Sequence, residues 1–253
     1  MLMGIEFKIE NSKFNEVETL DFQVPNVNLK ISDELSGSCD IFLSRYETLV
    51  NIKYLKDNRT NHLIGSSPCL EDEITNIISY LTKQKPNNFE SRINSKKSNK
   101  VTINLEKEFD QKCNILLKGI DLKDYHDSFE NKLKLITNEF YTNDIFHRLS
   151  TQKHGEIEIS QDEYKTIVHY KSYTRVAKSS IIDSLYRAAI EKTPRQEGRG
   201  AGLGLYLIFQ NCDRLHIVAN EDSTSFYLYI EKNKRYKEIS KRIPSISFYN
   251  LKD

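Results

Sequence analysis

The chain has 253 residues, 37 Lys and Arg against 36 Asp and Glu, a net charge of +1, and 38% hydrophobic with 29% charged residues. That length allows one large domain or two modest ones around a proper buried core. The balanced charge gives no sign of the clustered Lys and Arg excess that phosphate neutralisation needs, so nucleic acid is not an expected partner.

At the N-terminus, Glu6 and Lys8 interrupt any apolar run of signal-peptide type. No stretch approaches the roughly 20 apolar residues that span a bilayer, so no membrane association is expected. Cys39, Cys69, Cys113 and Cys212 are scattered without a C-x-x-C pair. They read as reduced thiols of a cytoplasmic protein rather than as a zinc site or a disulfide framework.

Short β-like runs open the chain at Ile5–Ile9, Leu20–Val24, Asp40–Ser44 and His62–Gly65. A helix is expected from about Glu71 to Thr82. Glu71, Asp72 and Glu73 place negative charge at its start, and Ile74, Ile77, Ile78 and Leu81 recur at helical spacing. Residues 1–82 therefore read as a small α/β domain. The stretch 83–100, KQKPNNFESRINSKKSNK, has linker composition.

Beyond it, Lys100–Glu106 alternates like a strand, and a long helix runs from about Asp127 to Arg148. Phe129, Leu133, Ile136 and Phe140 share one stripe of that helix, at about 100° per residue. Lys134, Asn138 and Thr142 fall on the opposite side. Glu139 and Asn143 lie one turn apart at the flank of the buried stripe, where a carboxylate and an amide suit a metal–phosphate site or form an ordinary boundary pair. Strands are expected at Gly155–Ser160 and Tyr164–Tyr170, and a helix near Ile181–Ile190. Two last strands, Leu215–Ala219 and Ser225–Ile230, precede a basic tail over 233–253, where Pro244 argues against a regular helix.

Between them, Gln196 to Leu205 places four glycines, Gly198, Gly200, Gly202 and Gly204, directly before the apolar run Tyr206-Leu207-Ile208-Phe209. Glycines let a backbone approach a ligand closely, and the helix that follows presents free N–H groups that suit phosphate. A flexible hinge is the plain alternative. The turn lacks the Gly-Lys-Ser/Thr ending of a P-loop, and no strand leads tightly into it as a dinucleotide fingerprint requires.

These residues together resemble the GHKL, or histidine-kinase-like ATPase, superfamily. Asn138-Glu139-Phe140-Tyr141-Thr142-Asn143-Asp144 is similar to its N box, with His147 where many members carry a histidine. The run GRGAGLGLYLI is similar to the second glycine box, and Ser223-Thr224-Ser225-Phe226 to the start of the last strand. The likeness covers residues 101–232 and implies a two-layer α/β sandwich of the Bergerat type, a mixed sheet with helices on one face. Without a dimerisation helix carrying a phosphorylatable histidine, the anti-sigma serine-kinase type is the nearer variety.

The resemblance implies ATP and Mg²⁺ as cofactors. Asn143 would hold Mg²⁺, and Glu139 would be the general base. Arg199, Gly200, Gly202, Leu203 and Gly204 would embrace the phosphates, and Thr224 would lie near the adenine. The first glycine box, Asp-x-Gly-x-Gly, should follow the strand ending at Tyr170. The chain instead reads Lys171-Ser172-Tyr173-Thr174-Arg175, with no acid for the adenine amino group, and Asp144 replaces a small alanine.

Three functions follow as expectations. The first is an ATP-binding signalling protein, a serine/threonine kinase or ATPase. The second is a non-catalytic regulator of anti-sigma or partner-switch type, with Lys171 and Arg175 filling the base pocket. The third is an unrelated α/β interaction protein. A regulatory protein partner is expected, and a homodimer is compatible with the sequence.

Overall fold

In a computed structural model, the described residues fall within 20–81, 99–104, 113–191, 203–232 and 243–250, short gaps inside those ranges excepted. The expected strand at Ile5–Ile9 lies outside them. The protein is α+β, built on a mixed sheet. Strands β1 (Leu20–Val24), β2 (Val27–Ser32), β3 (Ile41–Leu43) and β4 (His62–Ile64) come first, with helices α1 (Thr48–Asn58) and α2 (Leu70–Leu81). Then follow β5 (Asn99–Asn104), α3 (Phe129–His147), β6 (Glu156–Gln161) and β7 (Lys165–Ser172). Helix α4 (Lys178–Tyr186) ends in a π-helical turn over Arg187–Glu191. Helix α5 (Gly204–Gln210), β8 (Arg214–Ala219), β9 (Thr224–Glu231) and β10 (Ser245–Tyr249) complete the order.

Among the described residues ten strands share one sheet in the order β1-β2-β3-β4-β10-β8-β9-β7-β6-β5. From β5 through β6, β7 and β9 to β8 the pairing is antiparallel, and β8 pairs β10 in parallel. Strand β10 also pairs β4, antiparallel, and β4 continues in parallel through β3 to β2. Strands from before residue 83 and from residue 99 onward therefore belong to one sheet. The segment expected as a basic tail supplies the strand that joins its two parts. Ser245, Ile246, Ser247, Phe248 and Tyr249 are all buried there, the unbroken burial of a strand with both faces covered.

Alternation sorts the side chains into two layers. Phe42, Leu63, Val168, Leu215, Ile217, Phe226, Leu228, Ile246 and Phe248 face the larger core. Helix α1 adds Ile52 and Leu55 to it, α4 adds Ile181 and Leu185, and α5 adds Ile208 and Phe209. Helix α3 enters through the expected stripe, Phe129, Leu133, Ile136 and Phe140, all buried. The other face packs Ile31, Ile41, Leu43, Ile64 and Tyr249 under Ile74 and Ile77 of α2. Helices thus cover both faces at the β1–β4 end of the sheet. On that second face Arg214 sits between Glu73 of α2 at 3.5 Å and Glu231 of β9 at 3.1 Å, all three nearly enclosed. Among the described residues no helix is long and apolar enough to cross a membrane.

Candidate functional site

Helix α3 positions the site because its stripe fixes its rotation. With Ile136 and Phe140 locked in the core, Glu139 and Asn143 emerge half-buried on the flank that meets α5. A Cβ built on Gly204 would strike Glu139 Oε2 and lie 3.3 Å from its carboxyl carbon and 3.6 Å from Asn143 Nδ2. Glycine is what lets α5 start this close to the pair. Among the described residues neither the Glu139 carboxylate nor the Asn143 amide takes a hydrogen bond or an ion pair. Both side chains are half-buried and neither has an enclosed polar atom left without a partner, so water can reach them, as it would reach a ligand-accessible or an ordinary boundary pair. Partial burial pushes the Glu139 carboxyl above its ordinary value.

Beside this pair opens a cavity of about 540 Å³, within the range of small-molecule sites. Asn143 and Asp144 line it from α3, Leu205 from α5, and Tyr170 and Phe226 from the sheet. Phe140, Tyr170 and Phe226 form its aromatic floor, the Phe140 and Tyr170 rings 4.4 Å apart and the Tyr170 and Phe226 rings 5.8 Å apart. Burial and the neighbouring Asp144 carboxylate push the Tyr170 phenol well above its ordinary value.

Asp144, the residue after Asn143, is a structural anchor. Its Oδ1 accepts from the Gly155 N–H at 2.8 Å and from the Tyr170 hydroxyl at 3.4 Å, and its Oδ2 faces His154 Nδ1 at 2.9 Å. This carboxylate pins the end of α3 to the strand entering β6. Gly155 permits the approach, because a Cβ there would come within 2.6 Å of the Tyr170 ring and 2.9 Å of Asp144 Oδ1.

The stretch standing where a first glycine box is expected, 171–176, bends back over the end of β7. Ser172 pairs Thr224 across the sheet, and the Val176 N–H donates to Thr224 Oγ1 at 3.0 Å. Thr224 is fully buried, and its hydroxyl is used in tethering this loop. Arg175 lines the cavity. Lys171 does not; its Nζ lies 4.8 Å from the centre of the Tyr173 ring.

The structure thus brings Glu139, Asn143 and Gly204 together and places Thr224 behind the cavity wall. Leu203 is 40% exposed just before α5, and Leu205, not Leu203, reaches the cavity. Arg199, Gly200 and Gly202 lie outside the described residues. Sequence reasoning missed the α4 wall, Ser180, Ser184 and Arg187, which also lines the cavity. Their spacing of four and three residues on a helix was the available signal.

No protein-family model matches the chain, and a search of curated proteins finds no match to it.

Proposed function

We propose that residues 101–232 form a nucleotide site on a histidine-kinase-like ATPase scaffold of the Bergerat type, taking Mg·ATP and acting in signalling as an ATPase or serine/threonine kinase. The observation that carries this reading is Glu139 and Asn143 side by side against Gly204, with Asn143 also lining the adjacent cavity. The Gly204 backbone already meets the Glu139 carboxylate, so a phosphate chain and its metal would be taken on the cavity side, where Asn143 lines the wall. Asn143 would be the residue holding Mg²⁺, which supplies charge neutralisation to the phosphates when bound. Glu139 would take the proton from the attacking hydroxyl or water as it bonds to the γ-phosphorus and the β–γ bridging bond breaks. Its raised pKa moves it toward the pH at which it must work. The aromatic floor of Phe140, Tyr170 and Phe226 offers a planar base a stacking surface.

A phosphate-release assay tests this. With Mg·ATP the parent protein should turn over, and Glu139→Ala should lose at least about 100-fold. Nucleotide binding without turnover in the parent would shift the reading to a regulator that works through a protein partner.

That second reading has its own support at the base end. The segment 171–176 offers adenine no carboxylate, and its Val176 N–H occupies the Thr224 hydroxyl. Asp144, the carboxylate on the cavity wall, already meets three donors. A pocket with weakened base recognition can serve as a binding scaffold of anti-sigma or partner-switch kind, as a monomer or a homodimer.

A further inference from the structure

The α4 side of the cavity carries charge that the fold leaves unbalanced. Ser180, Ser184 and Arg187 stand at i, i+4 and i+7, within one face of the helix, and all three line the cavity. Arg175 lines it from the loop before the helix. Among the described residues neither arginine has a carboxylate within ion-pair distance. Of the acids four residues either side of Arg187, Asp183 pairs with Lys56 of α1 and Glu191 is not within ion-pair distance of it; among the described residues Arg187 Nε donates to the Asp183 carbonyl, at 3.3 Å. Asp144 is occupied by Gly155, Tyr170 and His154. Both guanidinium groups are exposed and line one cavity, so an anion entering it would meet two positive charges. The π turn that begins at Arg187 is a helix irregularity of the kind frequent at functional sites.

We infer that Arg175, Ser180, Ser184 and Arg187 form an anion-binding wall for a phosphoryl group, separate from the Glu139 and Asn143 pair. Guanidinium groups offer paired N–H donors to tetrahedral phosphate oxygens, and the two hydroxyls supply further donors at helix spacing. The wall does not depend on Mg²⁺ or on adenine recognition, so it goes beyond the nucleotide reading. It holds equally on a scaffold without turnover.

Titration of the full chain with pyrophosphate, without Mg²⁺ and at low salt, tests the wall by calorimetry. The expected result is one bound pyrophosphate per chain, weakened by added NaCl. Arg187→Gln and, separately, Arg175→Gln should each weaken it at least about tenfold. Both arginines are exposed, so their variants should keep the parent melting temperature, and Ser184→Ala, with a smaller loss, provides a further check. Absence of pyrophosphate binding by the folded parent overturns the inference. So does binding that both arginine variants retain in full, a result that leaves the nucleotide reading standing. Pyrophosphate binding without any ATP binding removes the nucleotide reading and keeps the wall. Displacement of bound pyrophosphate by Mg·ATP assigns the wall to the nucleotide's own phosphates. Retention beside Mg·ATP assigns it to a separate phosphorylated ligand, and either outcome supports the site.

Discussion

Gly204→Ala separates packing from function at the contact between α3 and α5. The new Cβ would land on Glu139 Oε2, with the carboxyl carbon at 3.3 Å. The obstacle is the end of a flexible side chain, so the carboxylate swings aside and the backbone stays. Such a rotamer adjustment costs about 0.5–1.5 kcal/mol. Alanine in a helix is favoured over glycine by up to about 1 kcal/mol. The two effects nearly offset, so stability should change by less than about 1 kcal/mol and Tm by no more than about 4 °C. Catalysis has no such compensation, because a displaced base loses its line to the attacking group. Phosphate release from Mg·ATP should fall about 100-fold. Scanning calorimetry and the phosphate assay on the same preparation read both quantities. A variant melting about 10 °C lower would mean that backbone, not the Glu139 side chain, fills the space. A stable variant with parental turnover would remove Glu139 from the chemistry.

Asp144→Ala strips partners from Gly155, Tyr170 and His154 and leaves a buried N–H unpaired. Urea unfolding should report a loss of about 3 kcal/mol, and a loss below about 1 kcal/mol would contradict the anchoring role. His62 is fully buried, and burial, with the Lys178 charge, pulls its pKa from 6.5 down to about 3. The unfolded chain takes up that proton near its ordinary pKa and the folded chain does not. Stability should therefore fall as pH drops from about 6.5 toward 3. His62→Phe should flatten that acid limb of Tm against pH, and an unchanged limb would acquit His62. Truncation after residue 240 removes β10, which lies between β4 and β8. Cooperative unfolding should disappear, and a truncated chain with a native-like circular dichroism melt would show that the sheet does not need its joining strand.

The elements with strong periodicity were legible. The stripe of α3, the helix α2 and the strands β7, β8 and β9 appear within two residues of expectation, because one face of each is clearly apolar. Helix α1 was not, since Thr48, Asn51 and Tyr54 are buried beside Ile52 and Leu55 and blur its apolar face. Strand β10 hid in a stretch read as basic, although apart from Lys252 its lysines and arginines all lie in 233–242. Its role depends on a partner, β4, nearly 200 positions away, a pairing that local pattern cannot report. At the site, the i, i+4 pair Glu139 and Asn143 was readable because helix geometry alone brings it together. Arg175 was singled out from its position. Arg187 was not, because a lone arginine on an amphipathic helix looks like any solvated charge until the cavity is seen.

The most direct measurement is calorimetric titration of Mg·ATP into the parent chain and into Asn143→Ala. The account predicts one site in the parent, with an affinity that Mg²⁺ strengthens. In the variant that Mg²⁺ dependence should be lost while the fold persists. A parent that binds no nucleotide, or a variant that keeps the full Mg²⁺-dependent affinity, would contradict the assignment of the α3–α5 junction as a nucleotide site.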